Sequence, residues 1–100
     1  MKPYILHPSA HSDLLAATEY YERESFALAA RFAAEIERLC REICANPHLH
    51  RHFRGEVRRH FGNAFPYAVV YADEPDRVLV LAVAHFKRRP GYWVDRLLRG

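Results

Sequence analysis

Residues 77–85, RVLVLAVAH, are apolar at almost every position, on both sides of an alternating chain. A strand of that kind cannot lie with one face in water. It has to be a central strand of a sheet with both faces covered. The rest of the chain must supply its neighbours and its covering layers. Residues 67–72 (YAVVYA), entered from Pro66, form one candidate strand, joined to the central one by the polar Asp73-Glu74-Pro75-Asp76 turn. From Glu56 to Phe61 the residues alternate, with Val57, Arg59 and Phe61 on one side and Arg58 and His60 on the other, before a turn at Gly62-Asn63. Residues 2–7 (KPYILH) form a short first strand that His7-Pro8-Ser9 ends.

Between these strands the spacing is helical. Ala10, Leu14, Ala17 and Tyr21 recur at intervals of four, three and four, with Ser9 or Ser12 placed to cap the helix they define. After Ser25 interrupts the pattern, Leu28, Phe32, Ile36, Leu39 and Ile43 line one face of a second helix that Asn46-Pro47 stops. So short a connection folds the two helices back as an antiparallel hairpin. Ala27, Ala29, Ala30, Ala33 and Ala34 favour helix and permit close approach of the axes. Residues 47–55 (PHLHRHFRG) have no period and read as a loop, and Pro90 to Leu98 read as a short helix with Trp93, Leu97 and Leu98 available to pack. The predicted order is β-α-α-β-β-β-α.

One hundred residues fit a single domain spanning 1–100, which leaves room for one core and a small site. No apolar run approaches the roughly 18 residues of a membrane span, and the first residues lack the apolar stretch of a signal peptide. The expected location is the cytoplasm, away from membranes. Cys40 and Cys44 lie one helical turn apart, a poor geometry for a disulfide, and read as reduced thiols. His48, His50 and His52 alternate and would share one side of an extended chain, yet no complete four-ligand spacing accompanies them. Neither a metal nor another cofactor is expected.

Charge divides the chain unevenly. Residues 1–47 hold five Lys/Arg against seven Asp/Glu, whereas residues 48–100 hold ten against five. Only two of the fifteen basic residues are lysine, and arginine's planar fork suits bidentate contact with phosphate or carboxylate. The basic second half therefore asks for an acidic partner: nucleic acid, an acidic protein segment, or both in turn.

A set of local features, in this order, resembles the RelE/ParE superfamily of toxins from type II toxin–antitoxin systems. They are Tyr20-Tyr21-Glu22 at the end of the first helix, Asn46-Pro47, the pair Arg58-Arg59, Phe65-Pro66-Tyr67 with Val70-Tyr71, and the run from Val80 to Trp93 containing His85-Phe86-Lys87-Arg88-Arg89-Pro90-Gly91-Tyr92. The resemblance covers almost the whole chain. It implies an α+β fold in which an antiparallel helix hairpin packs on a small, mainly antiparallel twisted sheet, followed by a short C-terminal helix. It also implies a cognate antitoxin that wraps the toxin and binds DNA through its other half.

Two mechanisms occur in that superfamily. ParE-like members inhibit DNA gyrase without needing catalysis, and RelE-like members cut messenger RNA on the ribosome. Strand cleavage by a 2′-hydroxyl needs a base, an acid and cations beside the phosphate. The resemblance puts Arg58, Arg59, His60, His85, Lys87 and Arg88 forward for target or phosphate binding, with Arg59, His85, Arg88 and Tyr92 as the catalytic candidates. The RNA-cutting relatives carry an arginine near the position of Ala68 and spaced lysines on the strand that here holds adjacent arginines. Together with the His85 to Arg88 spacing, this brings the chain closer to the ParE branch. Tyr20, Tyr21, Phe26, Leu28, Phe32 and Arg58 are the candidates for antitoxin contact, because aromatic anchors at a hairpin tip suit a partner. The further alternative is an accessory domain without toxicity that completes an antitoxin–DNA complex.

Overall fold

The doubly apolar segment forms the strand β5 (Val78–His85), and it lies inside a five-stranded sheet of order β1-β5-β4-β3-β2. The computed structural model describes residues 1–89 and 91–99, with Arg54, Leu98 and Arg99 as backbone alone. Before β5 come β1 (Tyr4–Leu6), α1 (Pro8–Glu22), α2 (Phe26–Ala45), β2 (Arg51–Arg54), β3 (Val57–Phe61) and β4 (Tyr67–Asp73), and after it comes α3 (Val94–Arg99). Strand β1 runs parallel to β5 and the other pairings are antiparallel. The fold is the α+β arrangement expected, with the helix hairpin on a mainly antiparallel sheet.

Both faces of β5 are covered. On one, Ala10 and Ala17 of α1 and Phe32, Ile36, Leu39 and Ile43 of α2 pack on Val69, Tyr71, Val78, Val80 and Val83. On the other, Val57, Val70, Ala72, Leu79, Leu81 and Ala82 gather round Trp93, just ahead of α3. Complete burial of each large side chain contributes roughly 1.5–3 kcal/mol, so the helix-hairpin face, with the longer list of such residues, dominates stability.

Local chemistry sets the ends of the elements. Pro8 occupies the first turn of α1, and the cap is His7, whose Nδ1 accepts the Ser9 N–H at 3.1 Å. The expected caps Ser9 and Ser12 lie inside the helix, where Ser12 Oγ donates to the Pro8 carbonyl. Ser25 caps α2 by accepting the Leu28 N–H at 3.0 Å. The β3–β4 turn is tied to α2 by Glu35, whose carboxylate accepts the Ala64 and Phe65 N–H groups. A Cβ on Gly62 would come within 2.6 Å of that carboxylate, which is why a glycine stands there.

The structure corrects several sequence expectations. Residues 47–55 are not loop throughout: Arg51–Arg54 is the edge strand β2, which turns into β3 through Gly55 at φ +57° and Glu56. Of the five helix-hairpin alanines only Ala29 is buried, while Ala27, Ala30, Ala33 and Ala34 face outward. The phase assigned to His85 is also different. A bulge at Leu81 breaks the register between Val70↔Ala82 and Tyr71↔Val80, so Val83 and His85 share a side while Leu79 and Leu81 fall on the other. Cys40 and Cys44 are free and buried, and burial pushes the Cys40 thiol up to about 12. The expectations placed on Pro90 and on the Leu98 side chain lie outside the described residues. No described helix is long and apolar enough to cross a membrane.

A candidate arginine cleft on the open face of the sheet

Strand β3 sorts its two arginines by pleat. Arg59 lies opposite Val70, and so on the face away from the helix hairpin. There it borders a cleft with Phe53, Phe61, Ala68, His85, Arg88, Arg89, Tyr92 and Trp93. The guanidinium of Arg59 stacks 3.8 Å above the Phe53 ring and 5.0 Å from that of Phe61. Phe53 is braced by Trp93 at 5.6 Å, and Phe61 by Phe86 at 5.4 Å. Arg88 stacks 3.8 Å above Tyr92 on the far wall. These stacks orient planar cations with their edges free for an acceptor.

No aspartate or glutamate is among the described residues that line this cleft. The Nε of Arg59 is buried and has no hydrogen-bond partner among the described residues. Burial first, and the neighbouring Arg51 second, hold the Arg59 pKa below its ordinary value. A cation placed like this is destabilised until an anion arrives. The cleft is thus prepared for phosphate or carboxylate attached to something flat enough to lie against aromatic walls.

The candidate acid–base groups are oriented differently from what proton abstraction needs. His85 Nδ1 accepts the Lys87 N–H at 3.0 Å, so the neutral ring carries its proton on Nε2 and acts as a donor. The His85 ring meets Tyr67 edge-on at 5.0 Å. The Tyr92 pKa is raised, by burial first and then by Asp13, toward which its hydroxyl points at 3.5 Å. Both groups offer protons rather than lone pairs.

The remaining sequence candidates lie elsewhere. Arg58 and His60 are on the helix side of β3, and Arg58 Nη1 donates to the His50 carbonyl at 3.1 Å. His60 Nε2 pairs with Glu42 at 2.7 Å and its ring stacks on His50 at 3.9 Å. Neither borders the arginine cleft. Lys87 is exposed and enters the site through its backbone N–H alone. His48, His50 and His52 do not act as a set: His48 faces Asp73 at 3.3 Å, His50 stacks on His60, and His52 is exposed. Among the described residues no group of three or more His, Cys, Asp or Glu could hold a metal.

On the helix hairpin the candidates divide by exposure. Tyr20 and Phe26 are 58% and 78% exposed. Tyr21 and Leu28 are half-buried, and Tyr21 joins an aromatic cluster with Phe32, Phe65 and Tyr67. Phe32 is fully buried and touches no partner directly, because α2 turns it into the core. The outer face of α1 adds Leu15, which is half exposed.

Sequence reasoning missed three participants. Phe53 was hidden in the supposed loop, where a lone aromatic among basic residues gave little strand signal. Asp13 and Arg96 form a largely buried ion pair at 2.6 Å across 83 residues of sequence, for which no local pattern exists. Arg89 borders the cleft beside Arg88 and was readable in the same basic run.

Comparison with known proteins now bears on this geometry. Among solved structures, a chain described as "Chromosomal ParDE TA system from P. aeruginosa" superposes with a TM-score of 0.74 at 17% identity, covering 85% of this chain and 96% of that one. At that identity the likeness concerns the fold. Comparison with curated protein sequences gives no match. A family described as "ParE toxin of type II toxin-antitoxin system, parDE" matches residues 4–90, through both helices of the hairpin and all five strands. The chain belongs to the ParE toxin family of type II toxin–antitoxin systems.

Proposed function

We propose that this chain arrests growth by inhibiting DNA gyrase, that the arginine cleft is the surface that engages the target, and that a cognate antitoxin neutralises it along the helix hairpin. The observation that carries the reading is the contrast within the cleft. It holds cations without counter-charges, but its histidine and tyrosine are both arranged as proton donors. Binding needs the first property. RNA cleavage needs, in addition, a group that takes the 2′-hydroxyl proton.

Ala68 supports the same choice, because it stands in the cleft where the RNA-cutting relatives carry an arginine. The exposed Leu15, Tyr20 and Phe26 give the antitoxin apolar anchors on α1 and at the start of α2, and the DNA-binding half of such an antitoxin would project beyond the toxin. The convergence of Arg59, His85, Arg88 and Tyr92 on one cleft favours a second reading, ribosome-dependent cleavage of messenger RNA.

Purified chain added to gyrase and relaxed plasmid should block supercoiling in proportion to its concentration, while messenger RNA ends mapped after induction in cells stay unchanged. Normal supercoiling together with new RNA ends would reverse the choice between the two readings. Unimpaired growth on production of the chain without its antitoxin would remove both and leave an accessory role.

A further inference from the structure

Strand β1 accompanies β5 only as far as Val80, where Leu6 is its partner and the His7 N–H donates to the Val80 carbonyl at 2.8 Å. Beyond that point the edge of β5 has no strand beside it, and the bulge at Leu81 lies there. Two side chains from opposite faces of the sheet take over. Asp13 of α1 accepts the Val83 N–H at 3.1 Å, and Arg96 of α3 donates to the Leu81 carbonyl at 3.0 Å. The same two groups bind each other through two hydrogen bonds, at 2.6 and 3.2 Å. Their side chains are only 14% and 16% exposed.

The pair is therefore a strap that runs round the sheet edge from the helix-hairpin layer to the layer beneath Trp93. Helix α3 has six residues, too few to persist without tertiary support. Burial works against charge on Arg96, yet the Asp13 carboxylate outweighs it and the pKa is raised. The strap also fixes one wall of the cleft. The Tyr92 hydroxyl points at Asp13, the Arg96 guanidinium lies 5.0 Å from the Tyr92 ring, and Arg88 rests on that ring at 3.8 Å.

We propose that Asp13 is a positioning residue for the arginine cleft: through Arg96 and Tyr92 it holds Arg88 in place to meet the target. It does not line the cleft, so its effect passes through those two residues. This inference rests on the reading of that cleft as the target-binding surface. It also explains why an aspartate on the hairpin helix matters to a site built from the opposite face.

Trp93 is the only tryptophan, is 2% exposed and directly precedes α3, so its fluorescence reports whether α3 is seated. Asp13→Asn keeps the size of the side chain and an acceptor for the Val83 N–H but removes the charge that holds Arg96. The expected result is a red-shifted Trp93 emission, stronger acrylamide quenching and at least about tenfold weaker gyrase inhibition, one decade being about 1.4 kcal/mol, with an unchanged far-UV spectrum. Ile43→Val, a core change remote from the strap, serves as the stability control and should leave Trp93 shielded and inhibition intact at matched distance below its Tm. Asp13→Asn with Trp93 still shielded overturns the proposal, as does Ile43→Val reproducing both losses. Exposure of Trp93 by Asp13→Asn, in a chain whose wild type leaves gyrase untouched, supports the strap and overturns the target reading instead.

Discussion

Arg58 and Arg59 are successive residues of β3 with opposite surroundings. Arg58 faces the helix layer and spends a donor on the His50 carbonyl, within a group of hydrogen bonds that fastens residues 47–50 to the end of α2 and the sheet. Arg59 faces the other layer, lies on two aromatic rings and keeps a buried Nε without a partner. The difference shows how to separate a structural cation from a binding one. A guanidinium whose donors are used by the fold has already recovered its desolvation cost, and one left short of acceptors recovers it only with a ligand.

The widest separation should come from truncating the two in parallel. Arg59→Ala should weaken gyrase inhibition about a hundredfold, the order expected when one side of a desolvated charge contact, worth about 2–5 kcal/mol, is removed. Its thermal stability should hold or improve, since the variant loses a buried cation that burial disfavours. Arg58→Ala should do the opposite, inhibiting within about threefold of wild type while losing about 1–2 kcal/mol of stability with its charged hydrogen bond. Supercoiling titrations beside denaturant melts would read both. Equal losses of inhibition from the two variants would break the distinction.

This sorting of arginines was legible in the alternation of residues 57–61, as was the helix hairpin in the spacing of Leu28, Phe32, Ile36, Leu39 and Ile43. Other parts were not, for identifiable reasons. Strand β2 is four residues long at a sheet edge, with Arg51 and His52 both exposed, so burial imposes almost no pattern on it. The bulge at Leu81 left no trace because β5 is apolar on both faces, and a one-residue slip exchanges one hydrophobic side chain for another. The pairing of Asp13 with Arg96 depends on where β1 stops and where α3 crosses the edge, which is tertiary information.

A smaller effect separates the two faces by stability alone. Tyr71 is fully buried on the helix side, its hydroxyl donates to the Pro47 carbonyl at 2.5 Å, and burial pushes its pKa up to about 12. Tyr71→Phe keeps the ring in the core but leaves that carbonyl without its donor. A loss of about 1–2 kcal/mol is expected, a fall in Tm of several degrees for a domain of this size, with gyrase inhibition unchanged at temperatures where both proteins are folded. If inhibition fell with Tm held constant, the cluster behind Arg58 would have to be part of the target surface.

The smallest effect is a pH response confined to the Arg58 side. Burial first, and the stacked His60 second, hold the His50 pKa below its ordinary value. Around this ring stand His60 and Arg58 on β3, Tyr71 on β4 at 6.4 Å and Glu42 on α2, itself linked to Arg38. Because the folded pKa is depressed, the unfolded chain binds more protons as the solution acidifies. The contribution of neutral His50 is complete above about pH 6.5 and declines as pH falls toward the folded value. The Glu42 carboxyl, lowered by His60 first and by Arg38 second, acts only below the usual carboxylate range, where its contribution is lost as pH falls through its folded pKa. His50→Phe preserves a ring against His60 and removes the titration. Denaturant melts at pH 7.5 and 5.5 should therefore show a shallower loss of stability in His50→Phe than in wild type, by well under about 1 kcal/mol after solvent screening. Arg59→Ala should keep the wild-type slope, because no titrating partner faces it across the cleft. A slope that disappears in Arg59→Ala and persists in His50→Phe would place the acid response on the wrong face.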